Sequence, residues 1–299
     1  MYNRFFLVFC VLSNACYGQV LDHLEQGQEN SPVIIDAEQS VVCDETAHKC
    51  VATGLAKAQK GTSTVYGDVL TVYFTDNRDI TAMTADGHVR METPTETAYG
   101  DHAHYDVALD RVLLTGGNLK IVTQKEVLTA EDSLEYWHTK NQGIARGNAV
   151  VQFPEKKQLV QANTLVAYFI PTSQKGKEGE KKTELDRIEA TGNVLASGPN
   201  GVVTGDKGTY FGKTELVEIF DNVKITQGEN IITGGYGRAN LKTNLAELFP
   251  YAPNTKPTGP IKRISGVIIP KDIKDKKNVK NRVERNFIIT LCNGKLRWR

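Results

Sequence analysis

Arg146-Gly147-Asn148-Ala149 is one copy of a short pattern that recurs through the chain: a glycine and an asparagine, followed by an apolar residue. Other copies are Asp86-Gly87-His88-Val89, Gly116-Gly117-Asn118-Leu119 and Thr191-Gly192-Asn193-Val194. Phe220-Asp221-Asn222-Val223 is a degenerate copy, and Ala52-Thr53-Gly54-Leu55 is the earliest. The glycines are evenly placed, with 33 residues from Gly54 to Gly87, 30 to Gly117 and 30 more to Gly147. The interval to Gly192 is 45, but it contains the polar stretch TSQKGKEGEKKT at 172–183; without those 12 residues it is 33. Periods of this size mark stacked repeats rather than one irregular core. The lysine-rich stretch is then an added loop outside the stack.

A second box lies between the glycines. It pairs a small residue and an acid with an apolar residue and then an aromatic: Gly100-Asp101 with Ala103 and Tyr105, Glu131-Asp132 with Leu134 and Tyr136, Gly205-Asp206 with Gly208 and Tyr210. Gly67-Asp68 with Leu70 and Tyr73, and Ala162-Asn163 with Leu165 and Tyr168, are looser versions. The spacing of two is the strand period. Segments 65–74, 112–114, 119–123, 148–153 and 223–226 alternate apolar and polar residues and end on Gly, Asn or Asp, which predicts short antiparallel strands. No stretch holds a 3.6-residue period long enough for a helix. Glycine and asparagine supply the positive φ angles of tight hairpins, so the Gly-Asn copies are expected to be hairpin turns.

Side chains alternate across a strand. Two residues after each turn glycine, or after Asp221 in the degenerate copy, stand Val89, Leu119, Ala149, Val194 and Val223; four after stand Met91, Ile121, Val151, Ala196 and Ile225. Phe153 extends the Ala149–Val151 face, and Leu70, Ala103, Leu134 and Leu165 are the matching positions of the second box. Most of the residues between them are polar: His88, Arg90, Asn118, Lys120, Asn148, Asn193, Asn222 and Lys224, with Val150 and Leu195 as exceptions. One face is therefore apolar. It serves equally as the core of a β-sandwich or, if the sheets splay, as the wall of a lipid-binding groove.

The chain ends differ from this body. Arg4 precedes the apolar run FFLVFCVL at 5–12, and Cys16-Tyr17-Gly18 offers small residues before a cut after Gly18. This is the layout of a cleaved secretory signal over residues 1–18, and the run is too short for a permanent transmembrane helix. Lipidation at Cys16 fits less well, because Asn14 is large for such a site. Export would place the mature chain in an oxidising, secreted context, where Cys43 and Cys50 can bond across a hairpin at 44–49. A Cys-x6-Cys pair alone is no zinc signature. The repeat body is expected over 34–250 and a basic, disordered tail over 251–299. Residues 256–299 hold 13 Lys and Arg against three acidic residues, a net of +10, which leaves 23 basic and 32 acidic residues elsewhere, a net of −9. Such a tail is either a solvated end or an anchor for an anionic surface.

Catalytic constellations are not visible. There is no nucleophile elbow, phosphate-binding glycine loop or metalloprotease His pair. His102 and His104 share a strand face without a third ligand in view, so an exposed polar face is the expectation. Asp68, Asp101, Asp132 and Asp206 recur with the repeat, as backbone-binding turn residues do. A polysaccharide-acting β-solenoid would concentrate its carboxylates in one or two repeats. A structural module of outer-membrane assembly is a further alternative; no run of barrel strands follows Leu248.

The ordered Gly-Asn-apolar and Gly-Asp-x-small-x-Tyr boxes, over about 34–248 behind the signal, resemble the OstA-like superfamily of periplasmic lipopolysaccharide-transport proteins. The resemblance implies an all-β fold: an open, V-shaped β-jellyroll of two antiparallel sheets, whose interior holds the acyl chains of the lipid A part of lipopolysaccharide. It implies end-to-end self-association through edge strands, joining an inner-membrane export complex to an outer-membrane assembly protein. No cofactor, metal or nucleic acid is part of this expectation. The lysine-rich stretch and the basic tail depart from the family's pattern.

Overall fold

The computed structural model describes residues 33–171, 183–199, 201–240, 243, 245–255, 263–267, 290–292 and 295–297. The signal segment, most of the lysine-rich stretch and much of the tail lie outside them.

The described residues form antiparallel β-sheet almost throughout. In chain order the strands of the body are β1 (Ile34–Asp36), β2 (Ser40–Asp44), β3 (Lys49–Lys60), β4 (Ser63–Phe74), β5 (Ile80–Glu92), β6 (Glu96–Asp106), β7 (Arg111–Thr115), β8 (Lys120–Thr123), β9 (Val127–Thr129), β10 (Ser133–Trp137), β11 (Gln142–Phe153), β12 (Gln158–Pro171), β13 (Thr183–Gly198), β14 (Gly201–Phe211), β15 (Leu216–Gln227), β16 (Asn230–Asn240) and β17 (Leu245–Phe249). From the tail come β18 (Ser265–Val267), β19 (Thr290–Cys292) and β20 (Lys295–Arg297). β18 pairs with β16, and β20 pairs with β17 and β19. All three lie in the stretch expected as the basic tail. Among the described residues the helical turns are 3-10 turns, His138–Lys140 and Pro154–Lys156.

The expected hairpins at the Gly-Asn copies are not where the chain reverses. The strands are longer than the alternation predicted, and most copies lie inside them. Gly54-Leu55 sits in β3, Gly87-His88 in β5, Gly147-Asn148 in β11, Gly192-Asn193 in β13 and Asp221-Asn222 in β15, every one of them at positive φ. At each, the register with the neighbouring strands jumps, as between Arg146 and Ala149 of β11. Two successive left-handed residues bend the strand without reversing it, as a β-bulge does. At three bends the strand is interrupted: β1 from β2, β7 from β8, and β9 from β10. The hairpins are elsewhere, several with a left-handed residue such as Gly61, Asn141, Lys157 or Gly228. A pair of positive φ angles serves either purpose, and only strand length tells them apart.

Each bent strand thus has one half in each of two layers. The first layer holds β1, β8, β9 and β18 with the matching halves of the long strands; the second holds β2, β7, β10 and β17 with the other halves. The line of bends joins the layers along one side. The result is the expected open β-jellyroll, with one continuous buried cluster between the layers.

The second box completes each bend. A Cβ on Gly147 would lie 2.5 Å from Asp132 Cγ; on Gly87 it would meet Asp68, on Gly116 Asp101 and on Gly192 Asn163. The acid or amide of one strand is therefore seated on the glycine of the next bend. Asp101 accepts from the Gly117 N–H, Asn222 Nδ2 donates to Asp206 at 2.7 Å, and Asn193 Nδ2 donates to Asn163 at 3.1 Å. His88 Nδ1 lies 2.9 Å from Asp68, a bond that raises the pKa of the imidazole.

Cys43 and Cys50 face each other across the β2–β3 hairpin and are joined by a disulfide.

Gly147→Ala is expected to lower the urea unfolding free energy by roughly 2 kcal/mol, since it combines a strained φ with a clash. Gly228→Ala, at positive φ with nothing within 4 Å of the new Cβ, is expected to lose less than about 1 kcal/mol. Equal losses at the two positions would show that the bends carry no special weight.

Candidate functional site

Alternation about each bend decides what fills the interior. Residues two before and two after the turn glycine share its parity, so both halves of a strand present the same set inward. Val89, Met91, Leu119, Ile121, Ala149, Val151, Phe153, Val194 and Val223 are buried, as are Leu70, Ala103, Leu134 and Leu165 from the second box. Ile225 is partly buried and packs against them. The structure brings all of these inward-read residues into one cluster.

The cluster is not filled solid. A hollow of about 670 Å³, part of it open to solvent, lies at its centre. Its wall takes Ile121, Leu128, Val151 and Phe153 from the first layer and Leu134, Ala145 and Leu165 from the second. A second hollow, of about 460 Å³, lies towards β3–β7 and is lined by Leu70, Met91 and Ala103 among others. A third, of about 310 Å³, lies towards β14–β17, between Val203, Val223 and Ile225 on one layer and Val217 and Ile219 on the other. By strand order the three follow one another along the stack. An apolar space opening on one side, repeated along an axis, suits long hydrocarbon chains, at about 0.8 kcal/mol per methylene removed from water.

The outer faces are polar. His102 bonds Asp86 at 3.0 Å and stays exposed, and among the described residues no group of three His, Cys, Asp or Glu could hold a metal. Tyr66, Arg90, Tyr99 and Lys120 alternate across the first layer, with the Arg90 guanidinium 4.1 Å from the Tyr66 ring. Such exposed contacts stabilise weakly.

Sequence reasoning missed several inward groups. Tyr136, expected only as the box aromatic, is fully buried, with its ring 4.8 Å from the buried His138. Tyr73 and Tyr168, three rather than two residues beyond their box leucines, face outward; Tyr168 stacks under Arg187 and Phe169 takes the inward place. Two carboxylates also point inward. Glu96 and Glu126 follow Thr93 and Thr123 by three residues, in two turns of the same kind: Thr93 N–H donates to the Glu96 carbonyl and Thr123 N–H to that of Glu126. Their separation of 30 residues equals the glycine spacing, so this Thr-x-x-Glu repeat was the signal available. Glu96 is 4% exposed, and neither of its carboxyl oxygens has a hydrogen-bond partner. Burial, aided by the Glu126 charge, pushes its pKa up to about 9.

Two successive stretches, residues 35–133 and 132–244, match the family model described as LptA/(LptD N-terminal domain) LPS transport protein. Among solved structures the chain is similar to that of LptH, the LptA homologous periplasmic component of the conserved lipopolysaccharide transport device from Pseudomonas aeruginosa. Identity is 13%, the likeness covers 82% of this chain and 99% of that one, and the TM-score is 0.21. No curated protein matches the chain.

Glu96 gives the interior a pH dependence. An acid whose pKa is raised on folding keeps its proton in the native state and loses it in the unfolded one, so stability falls as pH rises from the ordinary carboxylate range towards about 9. Glu96→Gln is therefore expected to stabilise the fold at pH 7, by up to about 3 kcal/mol, and to make little difference at pH 4. Thermal unfolding at the two pH values measures this; a stabilisation independent of pH would place the ionisation elsewhere.

Proposed function

The chain belongs to the LptA/LptD N-terminal-domain family of LPS transport proteins, and on that premise we propose that it is a periplasmic carrier that shields the acyl chains of lipopolysaccharide between the inner and outer membranes. The observation that carries this reading is the succession of apolar hollows between two splayed layers, bounded by polar outer faces. The acyl chains of lipid A lie along the inward residues, from Leu70, Met91 and Ala103 through Ile121, Val151 and Phe153 to Val223 and Ile225. Sugars and phosphates stay at the solvent side. No cofactor is needed and no bond is made or broken; the free energy comes from the export complex that loads the groove.

Continuity between membranes rests on the strand edges. β2 is exposed along its length and Val42 is 60% exposed. An open edge of this kind accepts another strand by β-augmentation. The edges at the two ends of the stack serve self-association and docking to the inner-membrane export complex and the outer-membrane assembly protein. The signal-like segment at 1–18 supports export to the periplasm.

The second reading, a structural module with a dry core, is separated by one experiment. Photo-reactive residues at Ile121 and Val151, with Lys120 and Gln152 as outward controls, are exposed to lipopolysaccharide. The carrier predicts labelling at the inward pair and none at the controls. Ile121→Glu or Val151→Glu is expected to weaken lipopolysaccharide binding at least tenfold, because a charge in an apolar site is expensive, with the β circular-dichroism spectrum retained. A folded, fully binding Val151→Glu chain, or no labelling at any of the four positions, would support the dry-core module.

A further inference from the structure

The inward face of the first layer is apolar except at its margin. Followed across the strands by register, the inward row nearest the hairpins reads Thr93, Glu96, Thr123, Glu126, Phe153 and Gln158. The next row inward holds Ala98, Ile121, Leu128 and Val151, directly paired with one another, and the last three line the central hollow. Glu96 is one inward position from Ala98, and Glu126 one from Leu128. Hydrogen-bonding groups therefore border the hydrocarbon wall at its lip.

Glu96 is the anomaly in that row. Buried polar side chains are nearly always paired, and leaving one unpaired costs about 1–3 kcal/mol. Both Glu96 oxygens are buried without a partner, and the Gln158 carbonyl oxygen of the same row is also unsatisfied. At neutral pH the acid keeps its proton. Binding sites commonly combine an apolar cavity with a few placed polar groups that fix the ligand's depth and orientation.

We propose that Glu96, with Thr123 and Glu126 beside it, is a polar lip that binds the carbonyl-bearing linkage between an acyl chain and its headgroup, the uncharged Glu96 acid donating a hydrogen bond to an ester or amide carbonyl oxygen. This rests on the carrier reading and refines it. The tail enters the hollow at Ile121 and Leu128, the linkage stops at the lip, and the headgroup remains outside. A divalent cation between the two carboxylates would need both ionised and further ligands, and no third His, Cys, Asp or Glu joins them among the described residues.

Few charges compete at the lip. β5 contributes Met91, the turn after it Thr93, and β8 Ile121 and Thr123, none of which titrates. Glu92 is paired with Arg90 on the outer face, and Lys125 is exposed at its turn. Glu126 is the titratable neighbour that acts on Glu96.

The test uses the full mature chain and two probes of equal tail length. N-dodecanoylglucosamine carries an amide carbonyl at the linkage; dodecyl glucoside is joined through a glycosidic acetal and carries none. The wild type should prefer the amide, and its affinity for that probe should fall as pH rises past about 9. Glu96→Gln retains a neutral donor and should bind the amide probe within about twofold of wild type, without the alkaline loss. Glu96→Leu should bind it about fivefold more weakly, the equivalent of one hydrogen bond, and bind dodecyl glucoside unchanged. A Glu96→Leu chain that still prefers the amide, a Glu96→Gln chain that behaves like Glu96→Leu, or wild-type binding abolished by EDTA would each overturn the lip. If Glu96→Leu does not fold, the Gln variant and the pH profile decide. Failure of lipopolysaccharide to label Ile121 in the wild type sinks the carrier reading; loss of probe discrimination alone sinks the lip.

Discussion

The structure depends on one contact: the side chain of an acid or amide seated on the left-handed glycine of the neighbouring strand. Asp68 meets Gly87, Asp101 Gly116, Asp132 Gly147, and Asn163 Gly192. The bend itself is unfavourable, because a second residue must follow the glycine into the left-handed region. Asn, Asp and His tolerate that region better than most residues. They also answer the acid: Asn193, Asn222 and His88 each bond the Asn or Asp beneath their own bend. The two sequence boxes are thus the two halves of one joint. Without the joint the strands would run straight, and a single long sheet would leave its apolar face to water.

The joint also shapes the interior. At several bends the flanking inward residues are small: Ala52 and Ala56 on β3, Ala145 and Ala149 on β11, Gly205 and Gly208 on β14, Gly234 and Gly237 on β16; at others they are large, as Ile219 and Val223 on β15. Cβ positions on Gly205 and Gly234 would collide with Ile219 and Leu248, so larger residues would push the layers apart at the hinge. Further from the bends stand Met91, Ile121, Leu128 and Phe153. At those bends the small residues let the two layers approach closely, with larger residues beyond. The hollows take lining from both sides of the bends, as from Ala145 and Val151 of β11 around the central one.

Much of this was legible in the sequence. The period, the all-β class and the inward set from Leu70 to Ile225 follow from counting by two, because in the strands that carry the turn glycine the inward residues on either side of the bend are four apart and keep their parity, as Ala145 and Ala149 do. The role of the Gly-Asn copies was not legible. Positive φ at two adjacent residues is the signature of a type I′ hairpin and also of this bend, and local chemistry does not separate them. The seating of Asp132 on Gly147 joins residues 15 apart in sequence through strand pairing, which no single box reveals. Glu96 escaped notice because glutamate at a strand end reads as a solvated turn residue; its burial depends on facing across to a second layer.

The two family matches meet at residues 132–133, on a bend between β9 and β10, yet no seam crosses the structure there. β11 pairs with β9 through Val150–Gln152 and with β10 through 142–146, so the second unit begins as the next strand of the first. The join costs no new kind of interaction: it is an antiparallel ladder whose inward side chains keep their parity. Among the described residues β2 pairs with β3 alone, to which Cys43–Cys50 also holds it, so its outer side offers the same ladder. At the other end β18 takes up the first-layer hydrogen bonds of β16 at residues 231–233. A contact between chains at that end must therefore either extend from β18 or displace it, whereas among the described residues no further strand lies on β2. The two ends of the sheet are therefore different, and on the carrier reading proposed above they would receive different partners.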